Sequence, residues 1–359
     1  MHTPLTQALV IAGVALILAT LLFPAIIRLY LWKGWVDKPD QRKKHVKPVP
    51  AAGGVVIALS VFGAMLMFES GRAFLAAHLS ESLALLVLCG IGAWDDQKNL
   101  RPVVRLLVQL GCGALLSLSG LRLQSLHGVF GVYELSVQVQ IILSTVIYAG
   151  ATNAFNLIDG IDGLSGVLAI TGLAVFSILF ILSDAAFWLL LLLPFMAALV
   201  IFLKHNLTPA AVFMGDSGSQ MLGFLLAASG MAILQHKSEV PVHPHAALVS
   251  AILILPVADA LRVFAYRIRS GRSPFSADRS HLHHFLLLAG NSHPSAVKHL
   301  FVLQLTIIAF TLFAADRLDT TLIVTVQFMM VLLFTRFVKA IARFEKWKNL
   351  IRESERSYK

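Results

Sequence analysis

The sequence predicts an all-α, polytopic integral membrane protein of about eleven transmembrane helices, and three observations carry that reading. Hydrophobic residues make up 57% of the chain against 13% charged, with a mean hydropathy of +0.79, outside the range of a water-soluble domain. Apolar runs of about 17–25 residues, long enough to cross the hydrocarbon core, recur from one end to the other. The basic residues, finally, are distributed unevenly about those runs.

The first run, 5–31, lacks a basic n-region and a small-residue cleavage site, so it reads as a retained span rather than a signal peptide. Further spans are predicted at 52–68, 78–94, 103–121, 138–154, 164–182, 185–203, 218–234, 246–266, 297–315 and 319–338. Between 121 and 137, polar and apolar residues alternate around His127-Gly128-Val129-Phe130-Gly131, which predicts a small external β-hairpin. Residues 1–340 are expected to form one transmembrane domain. The remainder, 341–359, reads as a basic tail, with a partly amphipathic helix from Arg343 suited to anionic headgroups. Cys89 and Cys112 each sit inside an apolar run, so no disulfide framework is expected.

With eleven spans, all but four of the 29 Lys and Arg residues fall on one side; the exceptions are Arg72, Arg122, Lys237 and Arg317. The positive-inside rule makes the rich side cytoplasmic, the N-terminus periplasmic and the C-terminus cytoplasmic. The formal charge of +10 therefore reflects topology, and no nucleic-acid partner is expected.

Five polar clusters fall on that same side: 37–54, Asp95-Asp96, 153–163, 214–218 and 278–284. In the third of these, Asn156, Asp159 and Asp162 are spaced by three, which puts their oxygens on one face of a helical turn. Two Asp-Gly steps let the backbone turn sharply and approach a ligand. Carboxylates beside lipid are expensive, so such a cluster faces water, a cation or a substrate, whereas a helix cap would need one such residue. Asp95-Asp96 is followed by Lys98, Arg101 and Arg105. The pair can coordinate a cation, repel so that one becomes a base, or simply end a helix among counter-charges.

The run Met214-Gly215-Asp216-Ser217-Gly218 opens a span, and its glycines and helix N-terminus suit a phosphate or a metal-bound phosphate. It is not the Gly-x-Ser-x-Gly elbow of acyl transfer. His281-Leu282-His283-His284 can grip a metal, bind pyrophosphate or shuttle protons. It lacks the Glu and the i, i+4 His pair of zinc proteases, and with Arg267, Arg269, Arg272 and Arg279 nearby, anion binding is the preferred reading. The loop 37–45, ending in His45, interleaves Asp and Pro with a basic run and is either a shaped binding loop or a topogenic signal.

Together these clusters offer carboxylates for a divalent cation and Arg, Lys and His for a polyphosphate. That combination is suited to phosphoryl transfer at a bilayer surface, between one water-soluble and one lipid-borne reactant. The competing class, an ion-coupled transporter, predicts charges deep within spans and two related halves. Here the acids sit at span ends and no repeat is evident.

At these residues the chain resembles the polyprenyl-phosphate N-acetylhexosamine-1-phosphate transferase family, in its WecA-type branch. The matching strings run from about Val36 to Gly290 in the family's order. They are Asp37-Lys38-Pro39 through His45, Pro50-x-x-Gly53-Gly54, Asp95-Asp96, Asn153-x-x-Asn156-x-x-Asp159-Gly-x-Asp162-Gly, Phe213-Met-Gly-Asp216-x-Gly and Ser273-Pro-Phe-Ser-x-Asp278-Arg279-x-His281-x-His283-His284. The muramoyl-pentapeptide branch carries three consecutive histidines and a Lys-x-Gly-Thr-Pro string, where this chain has His-Leu-His-His and Lys47-Pro-Val-Pro50.

The resemblance implies transfer of N-acetylglucosamine 1-phosphate from UDP-GlcNAc to undecaprenyl phosphate with release of UMP, at the cytoplasmic face of a bacterial inner membrane. This would be the first membrane step of an O-antigen or enterobacterial-common-antigen type of surface glycan. Related members use other donors, such as UDP-GalNAc, UDP-FucNAc or UDP-QuiNAc. Mg²⁺ is the implied cofactor, with Mn²⁺ as the alternative, and a homodimer the implied assembly. Carried over by position, Asp216 resembles the metal-binding aspartate, and Asn156 supports the metal or the diphosphate. Asp159 and Asp162 would hold the uridine-side pocket. Asp95 or Asp96 would deprotonate the lipid phosphate or organise the metal. Arg279, His281, His283 and His284 would contact the nucleotide-sugar phosphates and sugar. Asn153, His45, Arg105, Arg267 and Arg269 complete the expected substrate-binding set.

Overall fold

The computed structural model describes residues 3–37, 48–236, 245–273 and 280–357. Helix α1 (Pro4–Lys33) starts behind Thr3, whose hydroxyl accepts the Thr6 N–H, and ends at Gly34 with φ +70°. Then come α2 (Gly53–Met67), α3 (Glu69–Ala77), α4 (Leu79–Lys98) and α5 (Pro102–Ser119). After a non-helical excursion follow α6 (Val137–Ile158), α7 (Leu164–Leu182), α8 (Leu189–Asn206) and α9 (Gly215–Gln235). The last four are α10 (His245–Arg269), the short α11 (Leu282–Leu288), α12 (His293–Ala314) and α13 (Thr320–Ser357).

Every predicted span coincides with a helix. Among the described residues nine helices are long and apolar enough to cross a membrane, or ten if α2 and α3 count as one broken span. Helix α4 carries Glu81, Asp95 and Asp96 and is not among the nine. Three features depart from the expectation. The span predicted at 52–68 does not end in a loop: the chain turns 112° into α3, and Arg72 donates to the Leu66 carbonyl left free at the bend. The segment expected as a β-hairpin folds back on itself through one antiparallel bridge, Ser125 to Glu134, around a single 3-10 turn at Val129–Gly131. No strand forms among the described residues there. The basic tail is helical, as expected, but is not separated from the last span, because α13 runs on without a break for 38 residues.

Helix α9 is the hub. It is 94% buried over its apolar window and is surrounded by α2, α4, α6, α7 and α10. Lipid is as apolar as a leucine side chain, so helices in a bilayer are held by close packing and hydrogen bonds rather than by expulsion of water. Small residues make that packing here. A Cβ on Gly54 would lie 2.0 Å from the Gly218 nitrogen, and one on Gly92 would lie 2.4 Å from the Ser217 nitrogen. No side chain fits at either position, so α2 and α4 touch the first turn of α9 backbone to backbone. Farther from the site, buried Gln327 ties α13 to α10 and α12: it donates to Ala247 O and Thr311 Oγ1 and accepts from Ser250 Oγ.

Candidate active site

The polar clusters that lie far apart in sequence meet at one end of this bundle. The first turn of α9 is anchored by Gly53 and Gly54, whose N–H groups donate to Phe213 O and Met214 O at 2.9 Å each, while Phe213 N–H donates to Pro50 O. Gly215, at φ +71°, lets the chain turn into α9 with the Asp96 carboxylate against it. Helix α9 has no N-cap side chain of its own. Asp96, from the end of α4, supplies one across space: Oδ1 accepts Asp216 N–H at 2.8 Å and Oδ2 accepts Ser217 N–H at 3.4 Å.

The neighbouring Asp95 faces differently. Its Oδ1 accepts Leu100 N–H at 2.6 Å, and its Oδ2 meets Arg105 Nη1 at 2.7 Å. The same Arg105 nitrogen reaches Asp216 Oδ2 at 2.7 Å. Asp216 Oδ1 accepts from Asn156 Nδ2 at 2.9 Å, and that amide also donates to Ser219 Oγ. One guanidinium therefore bridges two carboxylates, those of Asp95 and Asp216.

Asp159 ends α6, and its Oδ1 accepts the Ser165 hydroxyl at 2.6 Å. Burial pushes its pKa up; Ser165 works in the opposite direction, the charges of Asp216 and Asp162 add to the rise, and the result is about 7. Asp162 shifts the other way. Burial alone would raise it, but the His293 ring 3.3 Å away, the Thr208 hydroxyl and the Ala210 backbone N–H hold it below the usual carboxylate range. Buried Asn206 fixes the loop between them and α7, accepting Gly163 N–H at 2.6 Å and donating to Val212 O at 2.8 Å.

An open cavity of about 1470 Å³ is lined by Asp95, Asp96, Arg105, Asn156, Asp159, Asp162, Asp216, His284 and His293. It exceeds the roughly 300–1,000 Å³ of an ordinary small-molecule pocket, leaving room for two reactants. His281 and His283 are buried behind that wall rather than on it. Their rings stack in parallel with centroids 5.8 Å apart. His283 packs so closely on Gly160 that a Cβ there would lie 2.1 Å from Nε2. Burial, and then the neighbouring His284 and His281, keep His283 well below the ordinary histidine pKa, so it is neutral at pH 7.

Other expected site residues lie elsewhere. Asn153, one turn before Asn156, does not line the cavity. Arg267 is buried at the end of α10, with its guanidinium 6.0 Å from the Phe264 ring centre, and Arg269 is exposed. His45 and Arg279 lie outside the described residues. Sequence reasoning overlooked Asn206, His293 and Asp259. Asp259 lies within α10, 1% exposed, and is bonded to His281 and Arg262. An Asp and an Arg three apart inside an apolar run were the available signal. The expectation that the acids sit at span ends thus fails at Asp259, which lies inside α10 with a bonded partner.

Comparison with known proteins gives the geometry a family. The profile of "Glycosyl transferase family 4" matches residues 78–234. A "Probable undecaprenyl-phosphate N-acetylglucosaminyl 1-phosphate transferase" of Bacillus subtilis (strain 168) is 30% identical over 294 residues, covering 81% of this chain and 80% of that protein. The chain belongs to glycosyl transferase family 4. The "Undecaprenyl-phosphate alpha-N-acetylglucosaminyl 1-phosphate transferase" of Yersinia pestis is 31% identical over 72% of this chain and 70% of its own length. A "Decaprenyl-phosphate N-acetylglucosaminephosphotransferase" of Mycobacterium tuberculosis (strain ATCC 25618 / H37Rv) is 31% identical over 77% and 74%. In this family 4 transferase the matched segment spans α4 to α9 and so carries every carboxylate that lines the cavity wall from Asp95 to Asp216. The histidine wall and Asp259 lie beyond it.

Proposed function

We propose that this family 4 enzyme transfers N-acetylglucosamine 1-phosphate from UDP-GlcNAc to undecaprenyl phosphate, releasing UMP. The observation that carries the proposal is one open cavity at the end of an apolar bundle, walled by Asp95, Asp96, Asp159, Asp162 and Asp216 with Arg105 and Asn156 among them. The activity named for the Bacillus and Yersinia relatives supports the choice of donor and acceptor.

In the reaction an oxygen of the lipid phosphate attacks the β-phosphorus of the UDP-sugar. A new P–O bond forms, the bond from that phosphorus to the oxygen bridging the two phosphates breaks, and the bridging oxygen leaves with UMP. Positioning and charge neutralisation are what such a step requires of a protein.

The donor set fits a divalent cation: Asp95 and Asp216 share a single guanidinium, Asp96 caps the helix that carries Asp216, and all the oxygens are hard donors. Among the described residues no group of three or more His, Cys, Asp or Glu is placed to hold a metal unaided. Mg²⁺ commonly takes one or two carboxylates and completes its shell with water and substrate phosphates. Asp216 and Asn156 would hold Mg²⁺, with Mn²⁺ able to replace it. The ion, when bound, would neutralise charge building on the diphosphate oxygens.

Arg105 would hold Asp95 and Asp216 apart and offer its remaining N–H groups to a phosphate. Asp96, committed to two backbone N–H groups of α9, would orient Asp216 rather than take a proton. Asp159 and Asp162 would shape the nucleotide side. A setting in the inner membrane, with the cavity open to the cytoplasm and the product entering surface-glycan synthesis, belongs to the same proposal.

The test is UMP release by purified protein from a panel of UDP-sugars, with undecaprenyl phosphate and with or without Mg²⁺. Metal-dependent release from UDP-GlcNAc is expected. Release only from another amino sugar would overturn the donor, and silence across the panel from folded protein would overturn the reaction.

A further inference from the structure

A charged pair inside α10 has no part in the phosphoryl transfer just described. Asp259 is 1% exposed, and Arg262 follows it by three residues. Asp259 Oδ1 accepts from Arg262 Nη2 at 2.6 Å and from the Leu282 backbone N–H at 3.1 Å, and Oδ2 lies 2.8 Å from His281 Nδ1. Arg262 Nη2 also donates to the Ser280 carbonyl, and its guanidinium stands 5.5 Å from the Phe285 ring centre. A buried ion pair is weak evidence for stability, because desolvating two charges offsets most of their attraction. Among the described residues, the bonds left over after the pairing go to one segment, 280–285.

We infer that Asp259 is a positioning residue for the transfer proposed above: it sets the ring plane and proton position of His281 and, with Arg262, the start of α11. The inference rests on that reading of the site. A carboxylate offers only acceptors, so the His281 Nδ1 facing it carries the hydrogen and Nε2 is left bare in the neutral ring. The setting is passed on by contact. His281 stacks on His283, His283 packs on Gly160 between Asp159 and Asp162, and His284 lines the cavity. Among the described residues, the ionisable groups around His281 are Asp259 and Arg262 from α10, His283 and His284 from α11 and, beyond His283, His293 from α12.

Asp259→Asn tests the idea sharply. Leu282 N–H and Arg262 only donate, so the amide oxygen of the variant must face them and its NH₂ must face His281 Nδ1. His281 is then forced into the Nε2–H tautomer. The measurement is the long-range ¹H–¹⁵N spectrum of the full-length, ¹⁵N-histidine-labelled protein, with His281 assigned by the signal lost in His281→Gln. Wild type should show Nδ1–H and Asp259→Asn should show Nε2–H, with turnover down by about 10–100-fold, the scale on which losing the carboxylate behind a metal-ligating histidine acts. A folded Asp259→Asn that keeps the wild-type tautomer, or turnover within about twofold of it, overturns the inference.

If Asp259→Asn does not fold, Arg262→Gln takes its place. It should keep the Nδ1–H tautomer yet lose at least about fivefold in turnover; unchanged turnover overturns the clamp. Absence of UMP release from wild type would defeat the reading of the reaction, while the spectrum would still decide the tautomer.

Discussion

Asp159 and Asp162 stand three residues apart in one loop, and their environments push them in opposite directions. The fold favours the neutral form of Asp159, so its contribution to stability falls as pH rises from the unfolded value near ~4 through about 7. Asp159→Asn should therefore be more stable than wild type between pH 5 and pH 8, by about 1–3 kcal/mol, and melt at a higher temperature. Asp162 is the reverse: its folded value is depressed, so its contribution is present above the unfolded value and is lost as pH falls through the folded one. Asp162→Asn should be less stable than wild type at neutral pH, and the gap should close below about pH 4. Thermal melts of both variants from pH 4 to 8 decide it; an Asp159→Asn that tracks wild type throughout would remove the burial argument. At Asp216 the expectation concerns rate. Replacing it with Asn should lower turnover by about 10²–10³-fold, as loss of a preorganised charge does, while the melting temperature hardly moves. The cavity acids were legible in sequence because a carboxylate has no business beside lipid unless something uses it. Asn206 and His293 were not, since a lone Asn or His at a helix end reads as ordinary surface.

The first turn of α9 is the element on which the site depends, held by α2 through Gly54 and by α4 through Gly92 and Asp96. Gly92→Ala places a methyl 2.4 Å from the Ser217 nitrogen and 2.5 Å from the Asp216 oxygen, both backbone atoms that cannot swing away. Overpacking of this kind costs about 1–3 kcal/mol, and here the strain falls on the residue proposed to hold the cation. The variant should melt lower and lose at least about tenfold in turnover. Gly90→Ala on the same helix meets nothing within 4 Å and serves as the control. If both variants behave like wild type, α4 does not register Asp216. Periodicity and the Gly-Asp-Ser-Gly string located this helix in advance. They did not say that its cap would come from another helix, because a trans cap leaves no local pattern. The bend after Met67 was equally hidden: the 112° turn is decided by where Arg72 and Gly71 meet the end of α2 in space.

For the molecule as a whole, hydropathy located every long helix and missed the short α3 and α11, because a spanning segment must satisfy its own backbone hydrogen bonds and is written as one continuous apolar run. It was silent on which helices meet, since lipid-facing and helix-facing positions are both apolar in a bilayer. The burial of α9 on nearly every side emerges only from packing. Orientation is the property that ties the fold to the proposed reaction. A UDP-sugar carries a charged diphosphate and does not cross a bilayer unaided, so the cavity must open toward the compartment that holds it. The proposal that this side is cytoplasmic rests on the excess of Lys and Arg at the cavity end. The protein offers a direct check, because its two native cysteines are both buried and leave little background for thiol labelling. Tyr133, 65% exposed in the folded-back segment that Phe130 ties to Thr321 at the start of α13, and Trp347, 61% exposed on the far reach of α13, lie toward opposite ends of that helix. Tyr133→Cys should react with a membrane-impermeant maleimide on intact cells, and Trp347→Cys only after the membrane is opened. The opposite pattern would turn the carboxylate cavity away from the nucleotide-sugar pool, and the proposed transfer could not then stand however well the residues fit it.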